Sequence, residues 1–137
     1  MMKQTLNHYI PLFLLSYNMY EEKFFVITPN HDINLLSFIF TSKTNLPKAD
    51  GLGGEALLTI DFYNIGTNGE RSSLISRLSN WSYDPCGVDF IECKPIELPI
   101  FDNNISAGNI IVMSTYLTNG VLGDLSDILL SMEFENK

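Results

Sequence analysis

A chain of 137 residues suffices for one domain, which at this length removes roughly two-thirds of its unfolded surface from water without metal or disulfide staples. Only 18% of the residues are charged and the net charge is −8, a field that repels a phosphate backbone and argues against ordinary nucleic-acid binding. No stretch reaches the ~18 consecutive apolar residues of a membrane helix, and Asn, Ser and Thr must supply much of the polar surface.

The N-terminus opens Met1-Met2-Lys3 and carries a short apolar run, Ile10 to Leu15. Pro11 interrupts that run, and no small-x-small cleavage site follows before Glu21 and Glu22. The segment therefore reads as one that packs, not as a secretory leader. Eight of the sixteen aromatics fall within the first forty residues: Tyr9, Phe13, Tyr17, Tyr20, Phe24, Phe25, Phe38 and Phe40. His8 to Tyr17 and Lys23 to Thr28 read as strands, and Pro11 places the first at a sheet edge or a bulge. Ile33 to Thr41 fits a period of two and also has Asn30 or Asp32 as possible helix caps. The Phe, Ile and Thr of its second half favour a strand.

Thr41 to Gly54, with Pro47, Asp50, Gly51, Gly53 and Gly54, reads as a long loop, a type often used for binding. Glu55 to Asn64 then alternates, with Leu58, Ile60 and Phe62 on a buried face and Thr59, Asp61 and Tyr63 on a wet one. Gly66-Thr67-Asn68-Gly69 signals a turn, so Arg71 to Ser79 is expected to return as the antiparallel partner. Leu74, Ile75 and Leu78 would also suit one face of a helix. Trp81 to Gly87 reads as a loop, Val88 to Cys93 as a brief strand, and Lys94 to Pro99 as an extended edge segment.

Asp102-Asn103-Asn104 turns the chain into its most apolar block, Asn109 to Glu135, around which the rest is expected to be organised. The β-branched run to Thr118 predicts a mostly buried strand, and Asn119, Gly120, Gly123 and Asp124 form the next loop. Asp127 to Glu135 fits both templates. Ile128, Leu130, Met132 and Phe134 alternate, whereas Leu125, Ile128, Leu129 and Met132 have helical spacing. A strand is favoured because Glu133 and Glu135 would sit at the negative end of a helix dipole. The sum is an all-β single domain over residues 1–137: six to eight short strands, at most one or two short helices, arranged as an antiparallel β-sandwich, jelly roll or partly closed barrel.

The chemistry-bearing residues are few. Cys86 and Cys93, if the segment between them is extended, stand roughly 23 Å apart at ~3.3 Å per residue, so free buried thiols are expected and not a disulfide. His8 and His31 are the only histidines, and neither a zinc set nor a His-Glu-x-x-His or Gly-x-Ser-x-Gly pattern occurs. His31 beside Asp32 reads as solvated. Gly51-Leu52-Gly53-Gly54 lacks the Lys-Ser/Thr ending of a phosphate loop and precedes a strand. Asn80-Trp81-Ser82 and Asn104-Ile105-Ser106 match the N-glycosylation pattern at near-chance frequency.

The carboxylates Asp50 and Glu55 bracket the glycine loop, Asp84 and Asp89 flank Cys86, and Asp124 and Asp127 flank the last loop. Such acids are usually turn formers, though calcium would need several of them to converge. The candidate contact residues are Asp50, Glu55, Trp81, Tyr83, Asp102 and Asn103, through a Trp/Tyr platform or Asp/Asn-rich loops.

Six lysines in all, with only Lys94 near the expected central strands, leave little charge to blunt sheet edges. The expectation is a non-enzymatic module without a cofactor that self-associates as a homo-oligomer or docks on a partner protein. The alternative is a loop-based β-sandwich that binds carbohydrate or calcium.

Overall fold

The last apolar block decides the centre of the molecule. Ile128, Leu130, Met132 and Phe134 are all buried, while Leu129 between them is exposed. A helix would have buried Leu129 with Ile128, so the period is two and the segment is a strand. The computed structural model describes residues 3–26, 30–67 and 73–137. Its elements are β1 (Lys3–Phe13), β2 (Tyr20–Val26), β3 (Ile33–Thr41), β4 (Leu57–Asn64), β5 (Ser73–Ser79), β6 (Ile96–Glu97), β7 (Asn104–Ile105), β8 (Ile110–Thr118) and β9 (Leu125–Asn136). No helix is present among the described residues.

The strands form two antiparallel sheets. One runs β1-β9-β3-β6, with β7 also on β3, and the other runs β2-β8-β4-β5. The first strand pairs the last, the second pairs the last but one, the third pairs the split β6/β7, and β4 pairs β5. This nested pairing, wrapped into two facing layers, is a jelly roll. The block read as the organising stretch supplies one interior strand of each sheet, β9 and β8. The inner faces interdigitate: Phe38 of β3 and Phe62 of β4, both fully buried, meet with ring centroids 4.6 Å apart.

Several expectations are corrected. Val88 to Cys93 is not a strand; Phe90 alone bridges to Leu46. Asp89 spends its carboxylate on the Lys48 amide at 2.8 Å, and the chain turns back through Cys93, which sits at φ 58°. The first strand begins earlier than His8 and ends at Phe13, and the second begins at Tyr20. The ends expected at Thr28 and Arg71, and part of the Gly66–Gly69 turn, lie outside the described residues. Both cysteines are free, but Cys93 is exposed and Cys86 half-buried, not buried. The face of β4 expected to be wet is mostly covered, because Asp61 (8% exposed) is paired with Arg77 of β5 at 2.7 Å.

One buried amide fixes the loop before β4. Asn80 is fully buried; its Oδ1 accepts from the Leu58 amide at 2.8 Å, and its Nδ2 donates to the carbonyls of Ala56 (2.9 Å) and Pro47 (3.1 Å). Its own carbonyl accepts from the Ala49 amide at 2.8 Å. With Nδ2 so committed, the first glycosylation match is closed to modification in the folded protein. Asn80→Ala leaves Leu58 N–H and two carbonyls unpaired in the interior, and should lower unfolding free energy by about 3 kcal/mol in urea titrations. Asn104→Ala, on an exposed side chain, should change it by less than about 0.5 kcal/mol.

Candidate interaction surface

The residues nominated from the sequence do not form one site. Trp81 and Tyr83 are exposed, with ring centroids 5.8 Å apart in a T-shaped pair. They lie near Asp50, because Ala49 bridges to Trp81 and its carbonyl accepts from the Ser82 amide. Glu55 is at the same end, ahead of β4. Asp102 and Asn103 lie at the opposite end of β5, where Asp102 accepts from Ser73 Oγ at 2.7 Å and the Asn103 carbonyl accepts from the Leu35 amide at 2.8 Å.

The carboxylates are largely occupied by the chain itself. Asp50 accepts from the Leu52 amide at 2.9 Å and Glu55 from the Gly53 amide at 2.8 Å. Asp84 holds the Cys86 amide and Asp124 the Leu15 amide. Asp32, beside His31, holds the Ala107 amide. Asp127 accepts from the Tyr9 hydroxyl and pairs with Lys43 at 3.1 Å, and these two contacts hold its carboxyl below the usual range. No group of three His, Cys, Asp or Glu side chains suited to a metal ion occurs among the described residues. A cleft of about 310 Å³ beside Asp102 is lined by short polar side chains such as Asn64, Ser73 and Asn109. Asn64 donates to Asn109 at 3.0 Å, so the cleft walls satisfy one another. Burial, and then the charge of Asp84, push the Cys86 thiol up, which leaves it a poor nucleophile.

The two sides of the sandwich differ in how their strand edges are closed. On the β3/β5 side the segment between Val88 and Ile105 laces the edges together. Leu98 N–H donates to Phe38 carbonyl at 2.8 Å, and Leu35 N–H donates to Asn103 carbonyl at 2.8 Å. On the neighbouring sheet Phe101 N–H donates to Ile75 carbonyl at 2.7 Å and Val88 N–H to Ser79 carbonyl at 2.8 Å. Ser76 Oγ adds a bond to the Pro99 carbonyl.

The β1/β2 side lacks such a strap among the described residues: β1 pairs β9 alone and β2 pairs β8 alone. A cleft of about 250 Å³, walled by Leu12, Phe13 and Leu14 on one side and Glu21, Glu22 and Lys23 on the other, runs between them. Only Lys94 was expected near the central strands; two other lysines lie on the edges, Lys3 on β1 and Lys23 on β2.

This open side carries many exposed apolar side chains around a charged centre, Glu21-Glu22-Lys23. Tyr9, Leu12, Leu14, Tyr17, Met19, Tyr20, Phe24 and Val26 are 46–69% exposed. The aromatics of the N-terminal forty residues thus divide evenly, Phe13, Phe25, Phe38 and Phe40 in the core and Tyr9, Tyr17, Tyr20 and Phe24 on the surface. On the outer face of the β2-β8-β4-β5 sheet the exposed part is confined to β2: Val112 of β8 is 2% exposed, and Tyr63 and Leu74 are half-buried. The register lines up Phe24, Val112, Tyr63 and Leu74 across all four strands, with Val26 beside Ile110 and Tyr20 beside Tyr116. Rings of Tyr20 and Tyr116 lie 4.6 Å apart. Between these rows run Glu22, Ser114, Asp61 and Arg77, the last two ion-paired. Phe24, Tyr20 and Val26 were not among the residues nominated singly; their signal was only the aromatic density of the segment.

No family model and no curated protein sequence matches this chain. Among solved structures, it is similar to the infectious bursal disease virus Gt strain structure at 10% identity and a TM-score of 0.40, over 97% of this chain and 38% of that one. It is similar to the Gx strain structure at 8% identity and a TM-score of 0.32, over 95% and 32%. The chain therefore spans about a third of the length of those proteins. Likeness at these scores carries no argument about function.

Between the two edge strands His8 of β1 stacks on Phe25 of β2 at 4.8 Å and 17°. Its Nε2 is buried and has no hydrogen-bond partner among the described residues. Burial, and then the positive charge of Lys23, lower its pKa from the ordinary 6.5. The neutral ring is the form that packs, so its contribution is complete above pH 6.5 and is lost as pH falls below it. Urea midpoints should drop between about pH 7.5 and about pH 5, and His8→Phe should flatten the profile in that window; a profile unchanged by the substitution would refute the assignment.

Proposed function

We propose that this chain is a non-enzymatic assembly module, which joins copies of itself, or docks on a partner protein, through the β1/β2 side and the adjoining sheet face. One observation carries this reading. Of fifteen exposed large apolar side chains among the described residues, eight lie between Tyr9 and Val26, on the side where two strand edges are unpaired. An unpaired edge offers backbone donors and acceptors to another chain, and exposed apolar side chains near it supply the hydrophobic part of an interface. The jelly roll itself does not choose among assembly subunits, lectins and cupins, so the surface must.

In sedimentation velocity the chain should exceed its 15.5 kDa monomer mass at micromolar concentration. Phe24→Asp should return it to monomer while changing unfolding free energy by less than about 1 kcal/mol, since the ring is exposed. A monomer across the whole concentration range, with solubility and mass indifferent to Phe24→Asp, would overturn the reading.

A second reading is supported by the exposed Trp81–Tyr83 pair beside the Asp50 loop: a ligand platform of the sugar-stacking kind. It expects a rise in melting temperature with a glycan panel or calcium that Trp81→Ala abolishes. Equal melting curves with and without every ligand would remove it.

A further inference from the structure

The assembly reading leaves open which strand pairs and with what, and β2 carries its own answer. Its middle reads Glu21-Glu22-Lys23, with Tyr20 before it and Phe24-Phe25 after. Charges in the middle of an edge strand discourage addition of an arbitrary apolar strand. They welcome a strand that presents the reversed order. A copy of β2 run antiparallel presents Lys-Glu-Glu.

We infer that two copies of this chain pair β2 to β2 about a two-fold axis normal to the sheet at Glu22, joining two four-stranded sheets into one of eight. Antiparallel strands related by such an axis place some residue opposite its own copy, so few registers exist. With Glu22 on the axis, Glu21 faces the partner's Lys23 twice, on the inner side. Tyr20 faces the partner's Phe24 twice, on the outer side, and extends the exposed aromatic rows across the junction.

Moving the axis to Lys23 sets lysine against lysine and puts Glu21 and Glu22 opposite phenylalanines. Moving it to Phe24 sets Lys23 against Phe25. Moving it to Glu21 faces the two Glu21 side chains and sets Tyr20 against Glu22. Opposite charges and aromatic pairs directly across from one another stabilise a sheet, and like charges destabilise it. The Glu22 register alone gains both kinds of favourable pair, and its cost is the single Glu22–Glu22 contact.

The strand is free to do this. Glu22, Lys23, Tyr20, Phe24 and Val26 are exposed, β2 pairs β8 alone among the described residues, and the flank of β2 opens into the cleft facing Leu12 and Leu14. Edge β1 is the poorer candidate, because Pro11 removes a backbone donor from it.

The inference rests on the assembly reading, and a charge-swap series separates the two. Lys23→Glu and Glu21→Lys each turn two attractive pairs into repulsive ones. Each should weaken dimerisation about tenfold in sedimentation equilibrium, and the double variant Glu21→Lys/Lys23→Glu should restore it. Glu22→Gln should tighten it about two- to fivefold. Glu22→Cys, in a Cys86→Ser/Cys93→Ser background, should oxidise to a covalent dimer, since facing residues in such a pair lie about 4.5–5.5 Å apart at Cβ. An oligomer indifferent to both single reversals, and not cross-linked through position 22, would overturn the β2 register and leave the assembly reading standing. A parent chain that stays monomeric would overturn both.

Discussion

Every strand edge exposes a row of amide and carbonyl groups that must find partners in the chain, in water or in another protein. In this molecule the requirement is met unequally. The ninety-odd region beyond β5 crosses back over β3 and β5 and donates amides from Val88, Leu98 and Phe101 to carbonyls on both sheets. That strap explains why β6 and β7 are only two residues long: they are the places where an irregular segment touches β3 in register. Nothing equivalent crosses β1 and β2 among the described residues, and there exposed apolar side chains flank the charged centre of β2. The chain closes one side of its sandwich and leaves the other to water or to a neighbour.

The scarcity of charge is tied to the same arrangement. Asp61 and Arg77 share an outer face and neutralise each other at 2.7 Å, and this bond, before any other influence, pushes the pKa of the guanidinium above its already high ordinary value. Burial first, and Asp61 next, raise the Tyr63 phenol beside them. Several of the remaining acids hold loops. Asp50, Glu55, Asp84, Asp89, Asp102 and Asp124 each accept a backbone amide. Asp50, Glu55, Asp84 and Asp102 fold back on an N–H two residues away, a local bond that costs little chain entropy, whereas Asp89 and Asp124 reach the distant Lys48 and Leu15 amides. Acids scattered in this way hold loops; among the described residues no three of them gather with His or Cys into a group suited to a metal ion.

Close backbone approach at one glycine shows how the loops are held. A Cβ at Gly120 would come within 2.6 Å of Ala56 N and 2.7 Å of Gly54 O, so the loop after β8 lies directly on the loop before β4. Both glycine-bearing loops flagged as turns thus belong to one end of the sandwich, with Asn80 clamped beneath the second of them.

The sequence by itself determined the strands and the turns between them. Alternation is a property of neighbouring residues, so Leu58, Ile60 and Phe62, and Ile128 through Phe134, announce their buried face without reference to the rest of the chain. It failed where local pattern and pairing part company: Val88 to Cys93 is apolar enough for a strand, but its backbone bonds go singly to Ser79, Leu46 and Ser42 and form no ladder. Only the tertiary structure decided that the aromatic N-terminus is half core and half surface, that Asn80 is a buried clamp, and that Trp81 and Asp102 stand at opposite ends. Those outcomes depend on which strand lies beside which, and pairing joins residues up to 132 positions apart, as Lys3 joins Glu135. No window along the chain contains that information.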